Sequence, residues 1–289
     1  EPVPAVVSVH VYGVNGPGIG RALGRMATDR SRVRRLPGAT FAKMLGTGTG
    51  RTFTPKDADP RHWAVLICWD HEDGPARYES SPMHHAWLSS CEEHGRLLMR
   101  PLMSRGLWAG RTPFGDPLPR RFDGAVAAVT RARIKTGQWS RFWSAVPPVS
   151  EDLHAVPGLR LAVGIGEAPV GLQGTLSVWD SHRALTEFAH RRPAHTEVMR
   201  RTHEVQWYAE ELFARFNREA GRSGTLWYYR RVTEVLAAHR LDTRGLVNVL
   251  AEEVRGWWAE VAAANPGVDL EAEYAATCAA AGDRAAGSV

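Results

Sequence analysis

The chain has 289 residues, 44% hydrophobic and 23% charged, the proportions of a soluble globular protein long enough for one large domain or two small ones. Its 36 basic and 31 acidic residues are interleaved and leave a net charge of +5, which argues against an extended nucleic-acid-binding stripe. Cys68, Cys91 and Cys278 are odd in number and lack CxxC spacing, which speaks against a disulfide framework or a zinc site and fits a reducing, cytoplasmic setting.

The opening EPVPAVVSVHVYG lacks a basic leader region and no apolar run approaches about 18 residues, so neither a signal peptide nor a membrane span is expected. VVSVHVYGV (6–14) reads as a strand, and 18–35 as a helix with apolar Ile19, Leu23 and Met26. TFAKML and HWAVLICW form a hairpin, a helix runs from about Pro82 to His94, and a strand covers 96–102. Further on, GAVAAVTRARI (124–134) reads as a strand followed by a helix from about Gln138. LRLAVGIG and LQGTLSVW are strands, a long helix spans Arg183 to Arg215, and a short strand ends the pattern.

The two series repeat. AVLICWD (64–70) matches GTLSVWD (174–180), Pro82 and His84 fall on Pro193 and His195, Leu107-Trp108 on Leu226-Trp227, and Gly46 on Gly164. Each half has the order strand, helix, strand, strand, helix, strand, which is the ferredoxin-like split unit. The expected fold is therefore α+β: two tandem ferredoxin-like units whose sheets form an α+β barrel with the helices outside. Residues 1–110 make the first unit, 111–123 a Pro- and Gly-rich linker, 124–229 the second unit, and 230–289 a C-terminal helical extension.

LGTGTGRTFTP (45–55) resembles a phosphate loop, but it lacks the Lys-Ser/Thr pair and no helical period follows it. Its counterpart VGIGEAP suggests instead that alternate glycines strip one strand face for close packing, with Arg51 as a rim cation.

Among the twelve histidines no HExxH pair occurs. His195 lies in the charged segment AHTEVMRRTHEVQWYAEELFARF, with His203 eight residues on as the rival. One imidazole from a helix suffices for a haem iron, with arginines for the propionates. Arg131 and Arg133 point to one side of a strand. If that side faces the barrel interior, their charge requires an anion such as a propionate or Glu167; otherwise they face solvent. Glu167 is either a proton-relay carboxylate or a turn residue, and Trp139, Phe142 and Trp143 are core or pocket lining.

FAKMLGTGTGRTFTP, SRGLWAG, AVTRARI, RFWSAVP, GIGEAP, TLSVWD and AHTEVMRRTHEVQWYAEELFARF, in that order, resemble the spheroidene monooxygenase family over roughly residues 5 to 229. The resemblance implies a haem enzyme on a dimeric α+β barrel that oxygenates an acyclic carotenoid, with electrons from a ferredoxin-type donor. It implies His195 as axial ligand (alternatively His203), Arg131 or Arg133 at a propionate or bound dioxygen, and Trp179, Trp143 and Arg51 around the cofactor. Homo-oligomerisation and, for a carotenoid substrate, peripheral membrane contact follow from the same resemblance. The tail after about residue 230 departs from the family pattern, which leaves room for another substrate in specialised metabolism. Two other readings stay open: a haem-dependent dehydratase of the aldoxime type, and a non-catalytic haem- or ligand-binding barrel.

Overall fold

A computed structural model describes residues 1–48, 57–118, 122, 124–135, 137–138, 142, 153, 156–167, 172–191, 205, 207–218, 263, 266–267, 269 and 272. The β-branched alternation of the opening segment forms β1 (Val6–Gly13). Asn15 then accepts a hydrogen bond from the Gly18 amide at 2.9 Å, capping a short 3-10 turn that leads into α1 (Ile19–Val33). Ile19, Ala22, Met26 and Val33 of α1 pack on the sheet, whereas Leu23 is 54% exposed.

The hairpin β2 (Ala39–Gly48) and β3 (Ala58–Trp69) follows. Next come α2 (Gly74–Glu79) and α3 (Pro82–Leu88), the latter capped by Ser81, which accepts from the His84 amide at 3.2 Å. The expected helix to His94 stops at Leu88, and His94 lies instead on β4 (Glu93–Gly106). The second half supplies β5 (Val126–Ile134), β6 (Leu159–Gly166), β7 (Leu172–Trp179), α4 (His182–Arg191) and β8 (Tyr208–Arg218).

The last strand corrects the expected Arg183–Arg215 helix. YAEELFARFNR is rich in helix formers, yet Leu212, Ala214 and Phe216 alternate into the core, and the strand pairs with β4 on one side and β5 on the other. Pairing on both edges and period-two burial override intrinsic preference. The extension from 230 lies almost wholly outside the described residues, as do Leu226-Trp227.

All neighbouring strands are antiparallel and close into a barrel in the order β1-β3-β2-β6-β7-β5-β8-β4. The halves join at two seams. One is long, between β4 and β8. The other is short: Gly46 stands opposite Gly166, Thr47 opposite Ile165 and Gly48 opposite Gly164. The glycine-rich strand ends are therefore where the two half-sheets meet. A Cβ on Gly48 would stand 2.7 Å from the Asp57 carbonyl oxygen, so this position needs glycine for the close return of the chain into β3.

The pleat separates two layers. Inward residues, among them Val7, Val9, Phe41, Leu66, Met99, Val129, Leu176, Ala214 and Phe216, fill the barrel. Trp108 and Phe114, from the segment after β4, complete this core, and Phe114 meets Phe216 edge-on at 4.8 Å. Outward residues of the first half pack beneath α1 to α3, and those of the second beneath α4. Among the described residues no helix is long and apolar enough to cross a membrane.

Candidate functional site

Alternation turns Lys43 of β2, Arg131 of β5 and Glu210 of β8 into the barrel, where they meet Glu167, just past β6. Lys43 donates to Glu167 Oε2, and Trp108 Nε1 to Glu167 Oε1 at 2.6 Å. Arg131 bridges both acids, donating from Nη2 to Glu167 at 3.0 Å and from Nη1 to Glu210. Glu210 also accepts the Ala109 and Gly110 amides at 3.0 and 2.7 Å, tying in the turn after β4. Two cations and two carboxylates thus neutralise one another away from water.

Burial works to raise both carboxyl pKa values. Lys43, Trp108 and Arg131 overcome it at Glu167, and the Gly110 and Ala109 amides with Arg131 overcome it at Glu210, so both lie below the ordinary range. Glu167 is held by three donors, Lys43, Trp108 and Arg131. Gly174 lies directly opposite Arg131 on β7, and a Cβ there would run into the Thr130 carbonyl.

The first half holds a second polar cluster, which the sequence reading missed. On the outer face, His10 of β1, His84 of α3 and His94 of β4 offer ring nitrogens that all lie within 4.8 Å of one another. His10 Nδ1 and His94 Nε2 are 3.4 Å apart, and Tyr12 OH contacts His84 Nδ1 at 2.6 Å and Tyr78 OH at 2.9 Å. Burial first, then neighbouring positive charge, lowers all three imidazole pKa values: His84 to about 4, His94 to about 3, and His10 well below 6.5. They are neutral at physiological pH, the form that ligates metal.

The equivalent face of the second half is pared down. Val6 and Val126 hold equal places, each opposite the terminal Trp of its hairpin, Trp69 or Trp179. Following the register, His10 and Tyr12 correspond to Thr130 and Ala132, Val65 and Ile67 to Thr175 and Ser177, and Met44 to Gly164. Large side chains give way to small ones across three adjacent strands. The register also sets Gly46 equivalent to Gly166 rather than the expected Gly164.

Of the sequence-predicted site residues, Arg131 and Glu167 are brought together, and Arg133, on the same side of β5, is exposed. Trp179 lies on the opposite, outer face, 5.5 Å from the Phe188 ring of α4, so it does not share a pocket with Arg131. His195, His203, Trp143, Trp139 and Arg51 lie outside the described residues. Phe142 packs edge-on to Trp207 at 5.8 Å.

A closed α+β barrel with helices on its outer face is the class these strands define. It is similar to a crystal structure titled aldoxime dehydratase, with TM-score 0.52 and 10% identity over 75% of this chain and 82% of that one, a likeness of fold. No family model matches the chain. Curated relatives do: it is 35% identical over 200 residues to spheroidene monooxygenase of Rhodobacter capsulatus, covering 67% of this chain and 81% of the relative. It is 34% identical over 196 residues to the Cereibacter sphaeroides protein of that name, covering 67% of this chain and 60% of the relative. The chain belongs to the spheroidene monooxygenase family.

Proposed function

We propose that the protein is a haem-dependent monooxygenase that inserts oxygen from dioxygen into an apolar, carotenoid-like substrate. The observation that carries this reading is the match to spheroidene monooxygenases. Bound haem would supply the redox chemistry that activates dioxygen, with electrons from a ferredoxin-type donor.

The contrast between the two outer faces supports a place for such a group on the second half rather than the first. Around His10 and His84, the rings of Tyr12, Tyr78 and His94 crowd within 4.8 to 5.7 Å, which leaves no breadth for a porphyrin. Across the pared face, Thr130, Ala132, Gly164, Thr175 and Ser177 stand where the first half carries larger side chains, next to the apolar cluster of Trp179, Leu185 and Phe188. By the sequence repeat His195 corresponds to His84, and His84 stands over the matching face of the first half. This supports His195 as axial ligand, with His203 the alternative.

The remaining residues take lesser parts in this proposal. Arg131 and Glu167 brace the wall behind the cofactor from inside the barrel, a side that Arg133 shares at an exposed position, while Trp143 and Arg51 stay assigned to the cofactor's surroundings. The strand order 4-1-3-2 within each half supports two tandem ferredoxin-like units, meeting near residues 111–123. A homo-oligomer, a cytoplasmic location and peripheral contact with a carotenoid-bearing membrane belong to the same proposal.

The test is the absorption spectrum after expression with added haem. A Soret band that changes ligation in His195→Ala is expected. No band, or ligation unchanged in both His195→Ala and His203→Ala, refutes the assignment. Turnover without dioxygen or reductant would mark a dehydratase instead, and haem binding without turnover a carrier.

A further inference from the structure

The buried histidines of the first half lie outside the proposed cofactor face. Their nitrogens come from three elements: the middle of β1, α3, and the start of β4. His10 is fully buried, and its Nε2 makes no hydrogen bond; Glu79 Oε1 stands 4.0 Å away. An orphaned buried imidazole nitrogen beside two further imidazoles is costly as plain packing, because each polar atom left without a partner forfeits its hydration.

The hydrogen bonds around His84 point the same way. Tyr12 OH holds His84 Nδ1 at 2.6 Å and passes its own hydrogen bond on to Tyr78, which leaves His84 Nε2 free and fixes its ring. Metal-ligating histidines are oriented in this way, with one nitrogen held by a partner and the other turned to the ion. Glu79, held by Arg96 at 2.5 Å, brings a carboxylate oxygen to 4.0 Å from His10 Nε2.

We propose that His10, His84 and His94 bind a single divalent transition-metal ion of the zinc type. Three neutral imidazoles in a compact cluster suit a tetrahedral ion whose fourth position is taken by water or Glu79. The ion cross-links α3 to β1 and β4, fastening the helical layer of the first half onto the barrel. This site is independent of haem: its ligands lie in the first half and its ion needs no porphyrin.

The test uses the full chain, stripped with a chelator, without added haem, and titrated with Co2+ as a spectroscopic probe. One Co2+ per chain with the visible d–d bands of a tetrahedral N-ligated site is expected, displaced by Zn2+, with a rise in Tm. His10→Gln and His94→Gln should each weaken binding at least about 100-fold, and Tyr12→Phe about 10-fold through loss of the His84 orienting bond. Binding unchanged in both His variants, or no stoichiometric binding, overturns the proposal. Should the variants fold poorly, X-ray absorption of the Zn2+-loaded wild type decides: three imidazoles support the site, and one or none overturns it.

Discussion

Removing the negative charge of Glu167 tests whether the interior network braces the barrel. Lys43 and Glu167 have side chains only 8% and 10% exposed, and Lys43 makes its ion pair with this acid. In Glu167→Gln the ammonium loses its ion pair and, among the described residues, keeps the faces of Phe41 and Trp108, at 5.4 and 6.0 Å. Orphaning a buried charge costs about 3–5 kcal/mol. The lower end, about 3 kcal/mol, is expected here, because Arg131 retains Glu210 and an amide oxygen can still accept from Trp108.

Lys43→Met leaves Glu167 with Arg131 and Trp108 and should cost about 1–2 kcal/mol. The double variant Lys43→Met with Glu167→Gln has no orphan charge and should be more stable than Glu167→Gln alone, a coupling of about 2–3 kcal/mol. Urea unfolding followed by tryptophan fluorescence measures all corners of the cycle, since Trp69, Trp87, Trp108, Trp179 and Trp207 are fully buried. Additive single-variant costs, or a Glu167→Gln penalty below about 1 kcal/mol, would refute the brace.

Two further outcomes follow from side chains outside that network. Burial opposes a charged His62, but its bonds to Asp59 and Glu93, at 2.6 and 3.1 Å, prevail and raise its pKa to about 9. Its stabilising contribution is therefore complete below about pH 6.5 and lost as pH rises through about 9, so the stability gap between wild type and His62→Asn should shrink over that range; a constant or widening gap contradicts this. Writing first-half bulk into the pared face, with Thr130→Phe and Ala132→Tyr, should cut haem uptake at least about 10-fold while far-UV circular dichroism is unchanged. Full haem uptake by this variant would place the cofactor elsewhere.

The barrel was legible in the sequence where a repeat and a period agreed. The twin Trp-Asp ends mark the same hairpin position in both halves, Trp69 opposite Val6 and Trp179 opposite Val126. The inward turn of Arg131 and its pairing with Glu167 were among the readings that strand alternation allowed. The final strand was hidden because its Ala, Glu, Leu and Arg residues favour a helix locally, although Glu210, Leu212, Ala214 and Phe216 carry the period of two.

The histidine cluster was hidden for a topological reason. His10, His84 and His94 are dispersed over three elements, and only the β1–β4 pairing with α3 across it brings them together. His10, which shares the outward register of its strand with Val6, Ser8 and Tyr12, was the available signal. The face of Trp179 was likewise hidden, since a strand pattern alone does not tell which side is the interior.

The origin of the product's oxygen tests the proposed monooxygenase most directly. Purified, haem-loaded protein with reductant, a ferredoxin-type donor and spheroidene under 18O2 in unlabelled water, with products trapped by borohydride to fix any carbonyl oxygen, should yield a product two mass units heavier than under 16O2. Product that carries label only when the water is labelled, or that forms equally well without dioxygen, would contradict it.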